Sequence, residues 1–274
     1  MGYRTILYVS HDDDQNERRL GIARALASRW QGRLIVLHVT PPTIIPVGFA
    51  EGLAYIPPEV TESQQASAAL ITEKLKEDFR RVCEPFGDVP AEWRHEQGDP
   101  ATAAIQAALA ADLTVIGAAP TSGIDALARS LVEDLVLGSG GPVLVLPEGW
   151  SEPGIGQHVV LAWNRSREAA RALHDSRGFM REAGKTAVVS LGEAYAASVA
   201  DVVASLRAHG IAAEADSRPD DSDAGNALLA IAADRGADLL AMGAYGRGRL
   251  SELILGGATR DVLRQASLPV LFSA

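Results

Sequence analysis

The chain has 274 residues, 47% hydrophobic and 22% charged, enough for two globular cores and unlike a disordered or fibrous composition. Its formal net charge of −10 argues against nonspecific binding to nucleic acid or anionic membrane, and leaves open a local basic pocket for a phosphorylated ligand. The single cysteine, Cys83, excludes a disulfide framework within the chain, and the scattered histidines, His11, His38, His95, His158, His174 and His209, have no zinc-site spacing.

The first predicted element is the β-rich run RTILYVS (4–10), which closes on the polar HDDDQN. From Glu17 to Trp30 the spacing is helical, with Leu20, Ala23, Leu26, Ala27 and Trp30 on one side. RLIVLHV (33–39) reads as a buried strand, and the Pro-rich segment 40–59 cannot be regular structure. A helix at 61–83, an alternating strand at 91–97, a helix at 100–110, a strand at 112–118, a helix at 124–137 and a strand at 142–147 complete the first half. Residues 148–157 read as a linker. Strands at 158–163, 186–191, 211–217, 238–244 and 269–273 then alternate with helices at 166–183, 194–209 and 223–235, and a last helix follows the glycines at 256 and 257.

The halves are copies. ADLTVIGA (111–118) matches ADLLAMGA (237–244), and GPVLVLP (141–147) matches LPVLFSA (268–274), at offsets of 126 and 127. Strands alternating with helices imply parallel sheets built from right-handed crossovers. Two tandem doubly wound five-stranded α/β domains are therefore expected, at 1–149 and 150–274. The apolar last strands lie at sheet edges and are expected to pair the halves about a pseudo-twofold axis. Ligands of such sheets bind beyond the strand carboxyl ends, where strand order reverses. In the second half this points to WNRS (163–166) and to GAYGRGRLSELILGGATRDVL (243–263).

The latter is neither a GxxxxGK[ST] phosphate loop nor a GxGxxG fingerprint, since Ser251 stands where a third glycine would be. It reads Gly243-x2-Gly246-x9-Gly256. Glycines at a strand end let backbone N–H groups approach a phosphate, and a helix start offers unpaired N–H donors. Arg247, Arg249 and Arg260 add positive charge. With the following helix and terminal Pro-Val-Leu strand, this segment resembles the motif of the universal stress protein family. VVLAWNRSREAARAL (159–173) is similar to that family's first strand and helix. The resemblance covers both halves and implies a tandem member with the adenine nucleotide alpha hydrolase-like fold.

The resemblance also implies a site in the second half for ATP, or for ADP or AMP, with or without Mg²⁺. Asn164, after Ala162 and Trp163, takes the adenine-contacting position, and Leu191 lines the adenine pocket. Met242, Gly243 and Gly246 form the phosphate turn, and Gly256, Gly257, Ala258 and Thr259 open the following helix. Asn164 stands where aspartate is usual and Gly257 where Ser or Thr is usual, with Thr259 one turn on as a substitute hydroxyl. In the first half Gly117 keeps the first glycine, Pro120 replaces the second, and Arg129 replaces the helix-opening glycine. That half is expected to be a structural copy without an orthodox site. Asp12, Asp13 and Asp14 read as a solvated helix-start cluster, with cation binding as the alternative, and Cys83 as a packing residue. The wider expectation is a cytoplasmic stress-response or signalling protein, homo-oligomeric or an internal pseudo-dimer, without nucleic-acid or membrane partners. The alternatives are a ligand-free interaction module of the same fold and a weak ATPase, for which only Asp221 and Asp223 offer carboxylates.

Overall fold

A computed structural model describes residues 2–42, 58–118, 126–152, 154–219, 222–245 and 257–274. The first half runs β1 (Thr5–Val9), α1 (Asn16–Arg29), β2 (Arg33–Thr40), α2 (Pro58–Cys83), β3 (Ala91–Gln97), α3 (Pro100–Ala108), β4 (Leu113–Gly117), α4 (Ala126–Gly138), β5 (Val143–Leu146). The second runs β6 (His158–Ala162), α5 (Arg167–Asp175), α6 (Arg177–Met180), β7 (Lys185–Leu191), α7 (Ala196–Ala208), β8 (Ala213–Arg218), α8 (Ala224–Asp234), β9 (Leu239–Gly243), α9 (Gly257–Gln265), β10 (Val270–Ser273).

The strands form one sheet in the order β3-β2-β1-β4-β5-β10-β9-β6-β7-β8. The order reads the same from either edge, as a twofold relation between two copies requires. Every neighbouring pair is parallel except β5 and β10, which run antiparallel with Val270 opposite Val145 and Leu271 opposite Leu144. The two apolar last strands thus cover each other's edges inside one chain. β3 and β8 remain as outer edges, and their charged residues (Glu92, Arg94 and Glu96; Glu214, Asp216 and Arg218) discourage further pairing.

Strand alternation sorts the apolar side chains into two layers, with Tyr8, Leu34 and Val36 on one face and Leu7, Ile35 and Leu37 on the other. On the first face the halves meet through aromatic rings: Trp30 lies 4.6 Å from Tyr3 and 4.9 Å from Phe179, centroid to centroid. Trp30 Nε1 donates to Glu182 at 3.0 Å, and the Tyr3 hydroxyl donates to the Asp175 carbonyl. The repeated Ala-Asp-Leu has a structural cause. Asp112 accepts from the N–H groups of Arg4 and Thr5, both at 2.8 Å, and Asp238 accepts from those of Gly156, Gln157 and His158 at 2.9–3.1 Å. Each aspartate pins the first strand of its own half.

The helix expected over 166–183 is broken at Ser176 into α5 and α6. The Ser176 hydroxyl bonds back to the Ala172 carbonyl, which bends helices, and Gly178 packs against the Tyr3 ring. Cys83 is buried, as its reading as a packing residue requires, and burial pushes its thiol up to about 11.

Candidate functional site

Between β6 and β9 the strand order reverses, so the loops that leave their carboxyl ends diverge and flank a crevice. The loop after β6 begins with Trp163, whose N–H continues the ladder to the Val189 carbonyl at 2.7 Å. Its indole joins the apolar layer that holds α7, and Nε1 donates to Ser198 Oγ at 3.0 Å. The ring therefore packs on the face opposite to that of Ala162 and Met242. Asn164 is exposed; its Oδ1 accepts from the Ser166 N–H at 3.1 Å, closing a turn in which Arg165 takes φ 60°. Ser166 then caps α5 by accepting from the Ala169 N–H at 3.1 Å. The adenine-position residue is thus built into a capped turn. Its carbonyl keeps one lone pair for a ligand.

Gly243 closes β9. A Cβ there would stand 2.5 Å from the Glu168 carbonyl carbon and 2.6 Å from Ala169 N, so only glycine lets the first turn of α5 sit against this strand end. The close approach brings the Asn164 loop and the Gly243 turn together. Two residues on, Tyr245 takes φ 61°, and its N–H donates to Thr259 Oγ1 at 3.4 Å. Thr259 is buried, so its hydroxyl is engaged by the β9 turn. Gly257 is exposed at the start of α9, and a Cβ on it would meet nothing nearer than Asp261 Oδ2 at 3.8 Å. Ala258 is half-buried beside it. Ala162 and Leu191 are half-buried and Met242 buried, all three against the apolar layer that contains Val160 and Leu240. Gly246 and Gly256, with Arg247 and Arg249, lie outside the described residues.

Tyr245 escaped the sequence reading. Among the described residues its buried hydroxyl has no hydrogen-bond partner. Burial, followed by the nearby Glu133 and Asp134, pushes its ionisation far up. Both carboxylates belong to α4, so the β9 turn of the second half lies near a helix of the first. The signal for this was an aromatic residue set inside the glycine turn.

The first half fills the corresponding place differently. A Cβ on Gly117 would meet the Arg19 guanidinium at 2.6 Å. Arg19 is 4% exposed and ion-paired with Asp13, while Asp12 pairs with Lys74 at 2.6 Å. Asp13 is thus committed to a cation of the chain itself, while Asp12 and Asp14 are exposed, as expected of a solvated helix-start cluster. Pro120 lies outside the described residues, and position 129 falls within α4. Asp223 caps α8, accepting from the Asn226 N–H at 3.4 Å and its Nδ2 at 2.7 Å; Asp221 lies outside the described residues.

The chain is similar to a universal stress protein from Archaeoglobus fulgidus DSM 4304 over 98% of its own length and 95% of that chain, with a TM-score of 0.74 at 19% identity. A functionally unknown protein from Pseudomonas aeruginosa PAO1 is similar over 99% of this chain and 92% of its own, with a TM-score of 0.62 at 17% identity. These likenesses show the fold. A stretch of 44 residues is 39% identical to a universal stress protein of Methanocaldococcus jannaschii, covering 16% of this chain and 27% of that relative's length. The model of the universal stress protein family matches residues 2–147 and again 158–273. With one match to each half, the protein belongs to the universal stress protein family as a tandem, two-domain member.

Proposed function

We propose that the second half binds an adenine nucleotide, ATP, ADP or AMP, in the crevice between β6 and β9. The observation that carries this reading is the junction of the glycine turn with the helix start: Gly243 ends β9, Gly257 opens α9, and the bond from Tyr245 N to Thr259 Oγ1 joins them. Backbone N–H groups at a helix start favour an anion, typically by ~0.3–1 kcal/mol. Asn164 meets the adenine amino group through the free lone pair of Oδ1, Ala162 and Leu191 flank the base, and Gly246 and Gly256 complete the phosphate cradle.

Titration calorimetry of wild type and Asn164→Asp/Gly257→Ser with ATP, ADP and AMP tests this reading. Aspartate can keep the turn to Ser166 and add a charged acceptor, and serine has room at position 257. The double variant is expected to bind about tenfold tighter, one decade being ~1.4 kcal/mol. One observation favours a second reading, a ligand-free interaction module: Asn164 Oδ1 and Thr259 Oγ1 both already accept backbone N–H groups of the chain itself. No binding by wild type and no gain in the double variant would select it.

A further inference from the structure

We propose that the first half holds a separate ligand site, between the carboxyl ends of β2 and β3 and the N-terminal half of α2, for an uncharged planar heteroaromatic molecule. A cavity of about 1030 Å³ lies there, bounded by His38, Thr40 and His95 on the sheet side and by Gln64, Ser67 and Thr72 on the helix side. That volume suits a small-molecule ligand. Among the described residues none at the end of β4 lines it, so it is distinct from the place where Arg19 meets Gly117.

The lining selects the chemistry. Aromatic rings run in a row toward the cavity: Phe79 to Trp93 at 5.9 Å, Trp93 to His38 at 6.1 Å, and His38 to His95 at 5.4 Å with the last two rings 13° from parallel. His95, the last of them, is exposed, and its Nε2 is fixed to Thr40 Oγ1 at 2.8 Å. A flat ring is the natural next member of the row. The amides of Gln64 and Gln97 supply donors and acceptors around it, and the Ser67 and Thr72 hydroxyls, which donate to the Ser63 and Ala68 carbonyls, supply acceptors. Among the described residues no lysine or arginine lines the cavity, so they offer a phosphate group no countercharge there, and Glu73 is paired with Arg80 at 3.0 Å. Burial and the neighbouring His95 push His38 down to about 4, which keeps that imidazole neutral near pH 7.

The duplication supplies an internal control. His38 pairs with His95 in the sheet register, and the corresponding pair in the second half is Ser190 with Ser217. Those serines bond to each other at 3.3 Å, under a helix of 13 residues where α2 has 26. The fold therefore needs neither the imidazole pair nor the overhanging helix.

The test uses the full-length protein and three uncharged bicyclic probes: isoquinolin-1-one, quinoxaline and indole-3-carboxamide. Ring resonances of His38 and His95 are followed by NMR during titration. At least one probe is expected to saturate with an affinity on the order of 1 mM or better, moving both resonances, and ATP should not displace it. Thr72→Trp, which fills the cavity, should weaken binding at least tenfold; Gln64→Trp, at an exposed position, gives the same test if the first variant does not fold. Silence from all three probes, displacement by ATP, or undiminished binding in the filled variant would overturn the assignment.

Discussion

Gly243→Ala separates packing from ligand demand at the motif's first glycine. The added methyl would sit 2.5 Å from the Glu168 carbonyl carbon, 2.6 Å from Ala169 N and 2.8 Å from Glu168 Cβ, whereas carbon contacts settle at roughly 3.5–4.0 Å. Two of the three atoms are backbone, so no rotamer change relieves the clash. Helix α5 must retreat by about 1 Å, yet Ala169 and Ala172 on its inner face are 2% and 0% exposed. Overpacking of this kind costs roughly 1–3 kcal/mol, and the rigidity of the neighbour places the expected loss at about 2–3. In urea denaturation followed by circular dichroism, the midpoint should fall by about 1 M at an ordinary slope. Gly257→Ala is the control: its nearest neighbour would be 3.8 Å away, and its stability should stay within about 0.5 kcal/mol of wild type. A Gly243→Ala protein with the wild-type midpoint would refute the packing argument. If that protein also failed to bind ATP, the demand for glycine would come from the ligand.

Stability should depend on His38 in acid. An ordinary histidine takes its proton near 6.5 and folded His38 only near 4, so its contribution is complete above about pH 7 and shrinks as pH falls from 6.5 toward 4. At pH 5 the loss is about 2 kcal/mol, and His38→Gln should flatten that part of the denaturation profile; an unchanged slope would contradict the buried neutral imidazole. Trp30→Ala removes the ring wedged between Tyr3 and Phe179 at the junction of the halves, and should cost about 3–5 kcal/mol in the same urea assay. Asp238→Ala strands three backbone N–H groups and Asp112→Ala two, so the former should lose more stability, by about 1 kcal/mol, and equal losses would count against the strand-pinning role.

The alternation of strands and helices, the duplication and the two loops that flank the second-half crevice are legible in the residues alone. All three are carried by local periodicity and by self-similarity, which need no knowledge of distant neighbours. Gly243 was legible as a required glycine, but the reason was not: its neighbour is the α5 backbone, more than seventy residues earlier. Asn164 and Thr259 were legible as polar groups near the crevice, yet only the tertiary structure commits their oxygens to the N–H groups of Ser166 and Tyr245. His38 and His95 read as unrelated histidines until the β2–β3 register set one opposite the other. Strand period fixes which face a side chain occupies; which residue it meets there depends on crossover and register, and those are settled only when the whole sheet assembles.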